Sequence, residues 1–199
     1  TLTVKSLLVS NGVSFVAGDG SQPATLNVPP GGTNTFADGL VITNKAVLTG
    51  AGFVQATTTV YGTLSPGAGI GALTNIGDLA FANSAASIIE IAAYTSPGAG
   101  WDILVVTNGT LALGGDLKPV LTGGFAPSNT HSFVIMSNAG PPSVSGQFAN
   151  GFDGSIVNVY SNNLLTILGN MRLGISNQHV VLSDFTAGHK LRGTVLIFR

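Results

Sequence analysis

The side chains that could carry out chemistry are few in this 199-residue sequence, and they lie far apart along the chain. Hydrolysis of a glycosidic bond needs two carboxylates roughly 5–10 Å apart. No two acidic residues lie within ten residues of each other, so only a fold that stacks distant segments could pair them. Glu90 and Asp102 are the pair that we consider for a carbohydrate-active enzyme, although a solvated outer-face position is the simpler interpretation of Glu90. The acidic residues are Asp19, Asp38, Asp78, Glu90, Asp102, Asp116, Asp153 and Asp184.

The other groups that usually bind metals or cofactors point to no site. His131, His179 and His189 lack the spacing of metal ligands. The glycine-rich run at 67–72 fits a dinucleotide-binding pattern, but no helical sequence follows it. The chain has no cysteine, which excludes thiol nucleophiles, disulfides and cysteine-ligated metals. We therefore expect a protein that is not an enzyme and that has neither a metal nor a cofactor.

Aspartates and aromatic residues at recurring positions have both a structural and a functional interpretation. Asp78 and Asp116 each follow glycine in a repeated Gly-Asp-Leu triplet, where aspartate commonly forms a corner by binding nearby backbone. Four aromatic residues could form a platform on which a sugar stacks, but packing in the core or at corners is the interpretation that we favour. They are Tyr61, Tyr94, Trp101 and Tyr160.

Charge and hydropathy exclude two classes of partner. Seven basic and eight acidic residues give a net charge of −1, too weak a field to hold a nucleic-acid backbone. No stretch approaches the ~20 consecutive apolar residues of a membrane-spanning helix. The absence of cysteine and the scarcity of lysine and arginine are typical of exported proteins, so we expect an extracellular or bacterial cell-surface location. A start at Thr1 rather than methionine predicts a processed or trimmed N-terminus.

The segments that must position these residues have the sequence patterns of β-strands. Short β-prone runs alternate with turn pairs such as Asn11-Gly12, Asn108-Gly109 and Asn150-Gly151, and no window sustains a helical spacing of apolar residues. The sequence therefore predicts an all-β protein with few or no helices. Small neutral residues at outward positions favour a parallel β-solenoid, because charged residues stacked in adjacent coils would repel each other. A β-sandwich is the alternative.

The order of several short motifs carries a family resemblance over about residues 46–150. The motifs are Gly62-Thr63-Leu64-Ser65-Pro66-Gly67, Ile70-Gly71-Ala72-Leu73-Thr74, Gly77-Asp78-Leu79, Ile88-Ile89-Glu90-Ile91, Asp102-Ile103-Leu104-Val105-Val106, Gly109-Thr110-Leu111, Leu113-Gly114-Gly115-Asp116-Leu117, Phe133-Val134-Ile135 and Val144-Ser145-Gly146-Gln147-Phe148. This order resembles the autotransporter-associated β-strand repeat of passenger β-helices. The resemblance implies a right-handed parallel β-helix that is exported to the cell surface.

The predicted domain is a single β-solenoid over residues 1–199, in which residues 151–199 could form a separate pairing element. The end coils of a solenoid expose unpaired N–H and C=O groups, and the sequence shows neither a polar cap nor an amphipathic helix at its ends. The apolar C-terminal run predicts either that it folds back into its own chain as a final strand or that it pairs with another copy of the chain. The residues predicted to self-associate are Leu2, Val4, Val195, Leu196, Ile197 and Phe198.

These observations predict a non-enzymatic extracellular structural protein, a self-associating β-solenoid subunit of a surface fibre, filament or layer. Its main partner would be other copies of itself. The alternative is an adhesin or passenger module that is displayed singly and binds glycan or host matrix, with Trp101 and Tyr94 as candidate contacts. Neither hypothesis includes a nucleic-acid partner or a membrane-spanning segment.

Overall fold

The computed structural model describes residues 1–140 and 144–188, and every regular element in these two ranges is a β-strand. They contain no helix, and so none long and apolar enough to cross a membrane. The all-β prediction is therefore confirmed. Locally, turn pairs interrupt any helix and β-branched residues favour strands, so the sequence disfavours a sustained helical hydrogen-bond pattern.

The first eighteen strands form six coils of three strands each, and equivalent strands of successive coils stack into three ladders. The first ladder contains β1 (Leu2–Thr3), β4 (Ala24–Asn27), β7 (Ala46–Gly50), β10 (Thr63–Pro66), β13 (Ala86–Ile91) and β16 (Asp116–Leu121). The second contains β2 (Leu7–Val9), β5 (Thr33–Phe36), β8 (Phe53–Gln55), β11 (Ala72–Ile76), β14 (Ile103–Thr107) and β17 (Phe133–Asn138). The third contains β3 (Phe15–Ala17), β6 (Leu40–Ile42), β9 (Thr58–Val60), β12 (Leu79–Phe81), β15 (Leu111–Leu113) and β18 (Val144–Gly146).

Every pairing between two strands of these six coils is parallel, as a β-solenoid requires. A β-sandwich would be built from antiparallel pairs, so that alternative is not what the chain forms. Long turns at residues 92–102 and 122–132 lengthen the fifth and sixth coils.

Stacked leucines form the core on the inner side of the first ladder. Leu26, Leu48 and Leu64 occupy one register position in successive coils, and all three are buried. The same position holds Ser87 in β13 and Leu117 in β16. Full burial of one leucine stabilises the fold by about 1.5–3 kcal/mol. The column therefore supplies much of the energy that holds neighbouring coils in register.

Three more strands cover the C-terminal end of the six coils. They are β19 (Ile156–Ser161), β20 (Ile167–Ile175) and β21 (His179–Ala187). Strand β19 extends the first ladder in parallel, β20 pairs antiparallel with β19, and β21 pairs antiparallel with both β20 and β17. Strands β20 and β21, which we name the covering hairpin, join the first and second ladders through β19 into one sheet of fifteen strands.

The covering hairpin corrects the expectation that both ends lack a cap. Met171 and Leu173 on β20, with Val180 and Leu182 on β21, are fully buried. Their alternation along each strand turns one face of the hairpin toward the core. The sequence pattern shows the alternation but not the reversal of strand direction, and the reversal is what lets two strands close this end.

The N-terminal end has no such cover among the described residues. Strands β1, β2 and β3 each pair on one side only, with β4, β5 and β6. Leu2 is 47% exposed, whereas Val4 is half-buried and packs against the core. The other residues predicted to self-associate, Val195, Leu196, Ile197 and Phe198, lie outside the described ranges.

Candidate functional site

The structure places the Asp102 carboxylate against the backbone of Glu90, the other carboxylate residue considered for a carbohydrate-active enzyme. Asp102 lies at the end of the 92–102 turn and is fully buried. Its Oδ1 accepts the backbone N–H of Gly71 at 2.8 Å, and its Oδ2 accepts the backbone N–H of Glu90 at 2.8 Å. Both carboxylate oxygens thus fasten the turn to the fourth and fifth coils. The group that could act on a substrate is engaged by the backbone.

Burial dominates the electrostatics of Asp102. Removal from water raises the pKa of its carboxyl group to about 8, because the low-dielectric interior disfavours the charged form. The two N–H donors oppose that rise, and the nearby negative charge of Glu90 adds to it. Asp102 is therefore mainly protonated at neutral pH, which reduces the cost of burying it.

Other aspartates join neighbouring coils at the corner before the third ladder. Asp78 Oδ1 accepts the backbone N–H of Thr110 at 2.8 Å and its hydroxyl at 2.9 Å, and these bonds lower the pKa of the Asp78 carboxyl. Asp38 Oδ2 accepts the backbone N–H groups of Asn11 and Gly12. The predicted corner position of Asp78 is confirmed, but its carboxylate binds the next coil rather than its own backbone. Asp116 lies half-buried beside Ala86 in the first ladder.

Buried asparagines near the C-terminal ends of second-ladder strands are structural residues that sequence reasoning missed. Asn75 Nδ2 donates to the carbonyl oxygen of Gly77 at 2.9 Å, and its Oδ1 accepts the Thr58 hydroxyl at 2.7 Å. Asn138 Nδ2 donates to the carbonyl of Gly109, and its Oδ1 accepts the N–H of Gly140. Both asparagines stand two residues before a glycine. That spacing was the signal that could have identified them.

A stack of aromatic rings fills the corner between the first and second ladders. Tyr94 lies between Trp101, at a centroid distance of 6.1 Å, and His131, at 4.0 Å, with nearly parallel planes. Phe125 continues the stack beyond His131. Phe133 meets all four rings edge-on, and Trp101 Nε1 donates to the carbonyl of Val134 at 2.9 Å.

Trp101 is not available as part of the sugar platform that the sequence left open, because it is only 6% exposed. One face of the Tyr94 ring lies against His131, although Tyr94 remains 48% exposed. A sugar stacks on a free ring face, so packing is the better account of Trp101. Tyr61 is exposed and Tyr160 half-buried, and each lies outside the stack.

The histidines are also separated. His131 belongs to the ring stack, His179 is exposed on β21, and His189 lies outside the described ranges. Within residues 1–140 and 144–188, no three histidine or carboxylate side chains come close enough to hold a metal ion.

The N-terminal end carries the most distinctive surface, which we name the first-coil edge and define by Leu2, Leu8, Val13 and Val16. Leu8 is 71% exposed and Val16 is 53% exposed. An open cavity of about 320 Å³ lies beside this edge. Its apolar lining comes from Leu2, Phe15, Val16, Ala17, Ala24 and Leu26. Within the described residues, the outer sides of β1, β2 and β3 are unpaired, and the cavity lies beside them.

Because comparisons with known proteins found no match, the interpretation of this chain rests on the geometry described above. No protein-family model, no curated protein and no solved structure matches the chain.

Proposed function

We propose that the protein is a non-enzymatic structural β-solenoid of an extracellular or bacterial cell surface, which self-associates through its first-coil edge into a fibre or layer. One observation carries the proposal: the N-terminal end exposes apolar side chains and three strands that pair on one side only, whereas β20 and β21 cover the last strands of the first and second ladders. An uncovered strand edge is a template for pairing with another chain. The net charge of −1 offers little repulsion between copies.

The use of the polar side chains supports a structural role. Asp78, Asp102 and Asn75 bind backbone groups of their own or neighbouring coils. Each such bond satisfies a backbone group at a corner, where strand pairing does not reach. These polar side chains, which an enzyme would use to bind or react with a substrate, bind backbone groups of the fold instead.

Sedimentation velocity and negative-stain imaging across a concentration series test the proposal. We expect the wild-type chain to form assemblies and Val16→Lys to reduce them, because the charge would have to be buried in the contact. Phe53→Lys is the matched control, since Phe53 is an exposed apolar residue of the second ladder away from the first coil. A wild-type protein that stays monomeric at high concentration would overturn the proposal and favour coverage of this edge by the same polypeptide.

The second candidate function is a passenger or adhesin module displayed singly, and the covered C-terminal end favours it. The hairpin pairs β19 and β17 on their outer sides, so the first and second ladders offer no free edge there. The resemblance to passenger repeats agrees with display at a cell surface. Binding of the monomer to glycan or matrix protein, weakened by Tyr61→Ala at an exposed aromatic residue, would support this function.

A further inference from the structure

A polar recess opens on the outer side of the solenoid, at the corner before the third ladder. Its volume is about 280 Å³. Ser14 stands on its first-coil side and Thr57 and Thr59 on its third-coil side, so described residues form every wall. We name it the corner recess and define it by the residues that line it: Ser14, Ala37, Asp38, Gly39, Leu40, Val41, Thr57 and Thr59.

A missing side chain at Gly39 opens the corner recess. Ser14, Gly39 and Thr57 occupy one corner position in the first three coils, since the residues that follow them pair in register. A Cβ atom on Gly39 would lie 3.0 Å from Ser14 Oγ, and the φ of 103° at Gly39 favours glycine. The glycine therefore leaves a gap between two residues that carry hydroxyl groups.

Several polar atoms around this gap have no partner in the described part of the chain. Asp38 Oδ2 accepts the two backbone N–H groups of residues 11–12, which leaves Oδ1 without a bonded donor. The hydroxyl groups of Thr57 and Thr59 are likewise unbonded there. The Ser14 hydroxyl donates to the Asp38 carbonyl at 2.8 Å and keeps its lone pairs. The recess thus offers one carboxylate oxygen and three hydroxyl groups.

This set of groups restricts the ligand. No lysine, arginine or histidine lines the recess, so it offers no positive charge to an anion. Asp38 is the one carboxylate among the lining residues, and the described residues contain no group of three possible metal ligands from histidine, cysteine and the acids. A carboxylate oxygen accepts bonds from hydroxyl donors, whereas threonine hydroxyls both donate and accept. The groups therefore match a neutral molecule with several hydroxyls.

Apolar surface accompanies these polar atoms. Ala37, Leu40 and Val41 also line the recess. Tyr61 follows Thr59 by two residues, and its N–H donates to the Ile42 carbonyl at 2.8 Å, which continues the pairing of β9 with β6. This spacing places Tyr61 on the same outer face as Thr59, and Tyr61 is 44% exposed. A sugar ring combines hydroxyl groups with an apolar C–H face, so it can use both kinds of surface.

We propose that the corner recess binds one ring of a neutral sugar, with Asp38 Oδ1 and the Thr59 hydroxyl as hydrogen-bond partners and Tyr61 as the adjoining aromatic contact. This inference rests on the second candidate function, glycan binding by a displayed module, and names its site. It does not require self-association, because no residue of the first-coil edge lines the recess.

Titration of the ¹⁵N-labelled protein with the methyl pyranosides of glucose, galactose and mannose tests the inference. At a concentration that keeps the protein monomeric, we expect at least one sugar to shift the amide resonances of Gly39, Val41 and Thr59. The dissociation constant should be millimolar, because a single ring makes few contacts in an open recess. Methylammonium chloride, a cation that Asp38 could attract, should not reproduce these shifts.

Two substitutions remove hydrogen-bonding groups from the recess. Thr59→Val replaces a hydroxyl by a methyl group and should weaken binding about threefold to tenfold, the effect of one lost hydrogen bond. Asp38→Asn should weaken binding further, because hydrogen bonds to a charged acceptor are stronger. Thr63→Val is the matched control, since Thr63 lies on the outer side of the first ladder, and it should bind like the wild type.

The outcomes separate this inference from the second candidate function. Equal weakening by Thr59→Val and Thr63→Val would overturn the inference, as would the same shifts with methylammonium alone. Glycan binding that Tyr61→Ala weakens, but that Thr59→Val and Asp38→Asn leave unchanged, would overturn the recess as the site and keep the function. Absence of binding to any sugar, glycan or matrix protein would overturn both.

Discussion

The two ends of this solenoid differ in whether the strands of the end coil are paired on their outer sides. At the C-terminal end, β20 and β21 cover the last coil and bury Met171 and Leu182. At the N-terminal end, β1 to β3 keep one side unpaired, and Leu8 extends into solvent. The comparison teaches that a stack of coils needs a change of strand direction to close itself. Where the direction does not change, one side of each edge strand stays unpaired within the described residues.

The largest expected effect is the pH dependence of stability that Asp102 causes between the fourth and fifth coils. The pKa of Asp102 is about 8 in the folded protein against 3.8 ordinarily, so between these values the folded state keeps a proton that the unfolded state has lost. Stability should therefore fall as pH rises from about 4 to 8, by up to about 1.4 kcal/mol per pH unit. Urea unfolding at a series of pH values measures the slope.

Asp102→Asn is the control for that slope, because it cannot ionise. Its free energy of unfolding should not change with pH over the same window. It is lowered by a constant amount, because the Glu90 N–H loses its acceptor. Asp78 acts in the opposite sense: its lowered pKa supports the fold above pH 3.8, and this support is lost as the pH falls below that value. A wild-type protein that gains stability between pH 4 and 8 would show that Asp102 is ionised when folded.

The second prediction compares one leucine from each end. Leu173→Ala removes a fully buried side chain of the covering hairpin and should destabilise the protein by about 2–5 kcal/mol. Leu8→Ala at the first-coil edge should change the stability of the monomer by no more than about 0.5 kcal/mol. Denaturant unfolding at a concentration that keeps the protein monomeric measures both. Equal losses would mean that the first-coil edge is covered in solution.

The third prediction compares two buried asparagines. Asn75→Ala would leave the Gly77 carbonyl and the Thr58 hydroxyl without this partner, at a cost of about 1–3 kcal/mol. Asn34 lies nearer the first coil and donates to the carbonyl of Val4, but its Oδ1 has no hydrogen-bond partner among the described residues. Asn34→Ala should therefore cost less than Asn75→Ala in the same unfolding measurement. The reverse order would contradict the assignment of Asn75 as the stronger corner bond.

The smallest expected effect lies midway between the ends. Ser87 occupies a position in the leucine column, and its buried Oγ has no hydrogen-bond partner in the described part of the chain. Ser87→Ala removes this unsatisfied group, so stability should stay within about 1 kcal/mol of wild type or increase. Thermal unfolding decides the sign. A clear loss of stability would indicate that an interior water or a rotated hydroxyl satisfies Ser87.

Sequence reasoning reached the fold because local signals and stacking physics agreed. The turn pair Asn108-Gly109 and the neutral outward residues Thr25 and Thr63 all favour short parallel strands in stacked coils. It missed the covering hairpin, because a strand pattern does not show whether the next pairing is parallel or antiparallel.

The candidate site was less accessible from the sequence. The separation of Glu90 and Asp102 gave no sign that one carboxylate binds two backbone N–H groups from different coils. The exposure of Leu165 depends on where its turn projects, which no periodicity encodes. The cavity beside Val16 likewise forms only where strands far apart in sequence, β1, β3 and β4, come together.

The two long turns at residues 92–102 and 122–132 have a consequence for how such a rod can vary. Both leave the pairing of the flanking ladders intact, since β13 pairs in parallel with β16 and β14 pairs in parallel with β17. Their rings pack against each other and against Phe133 at the start of β17. Extra peptide can therefore be accommodated at this corner without changing the rise from coil to coil, so the length of the rod and its decoration can evolve, or be engineered, independently.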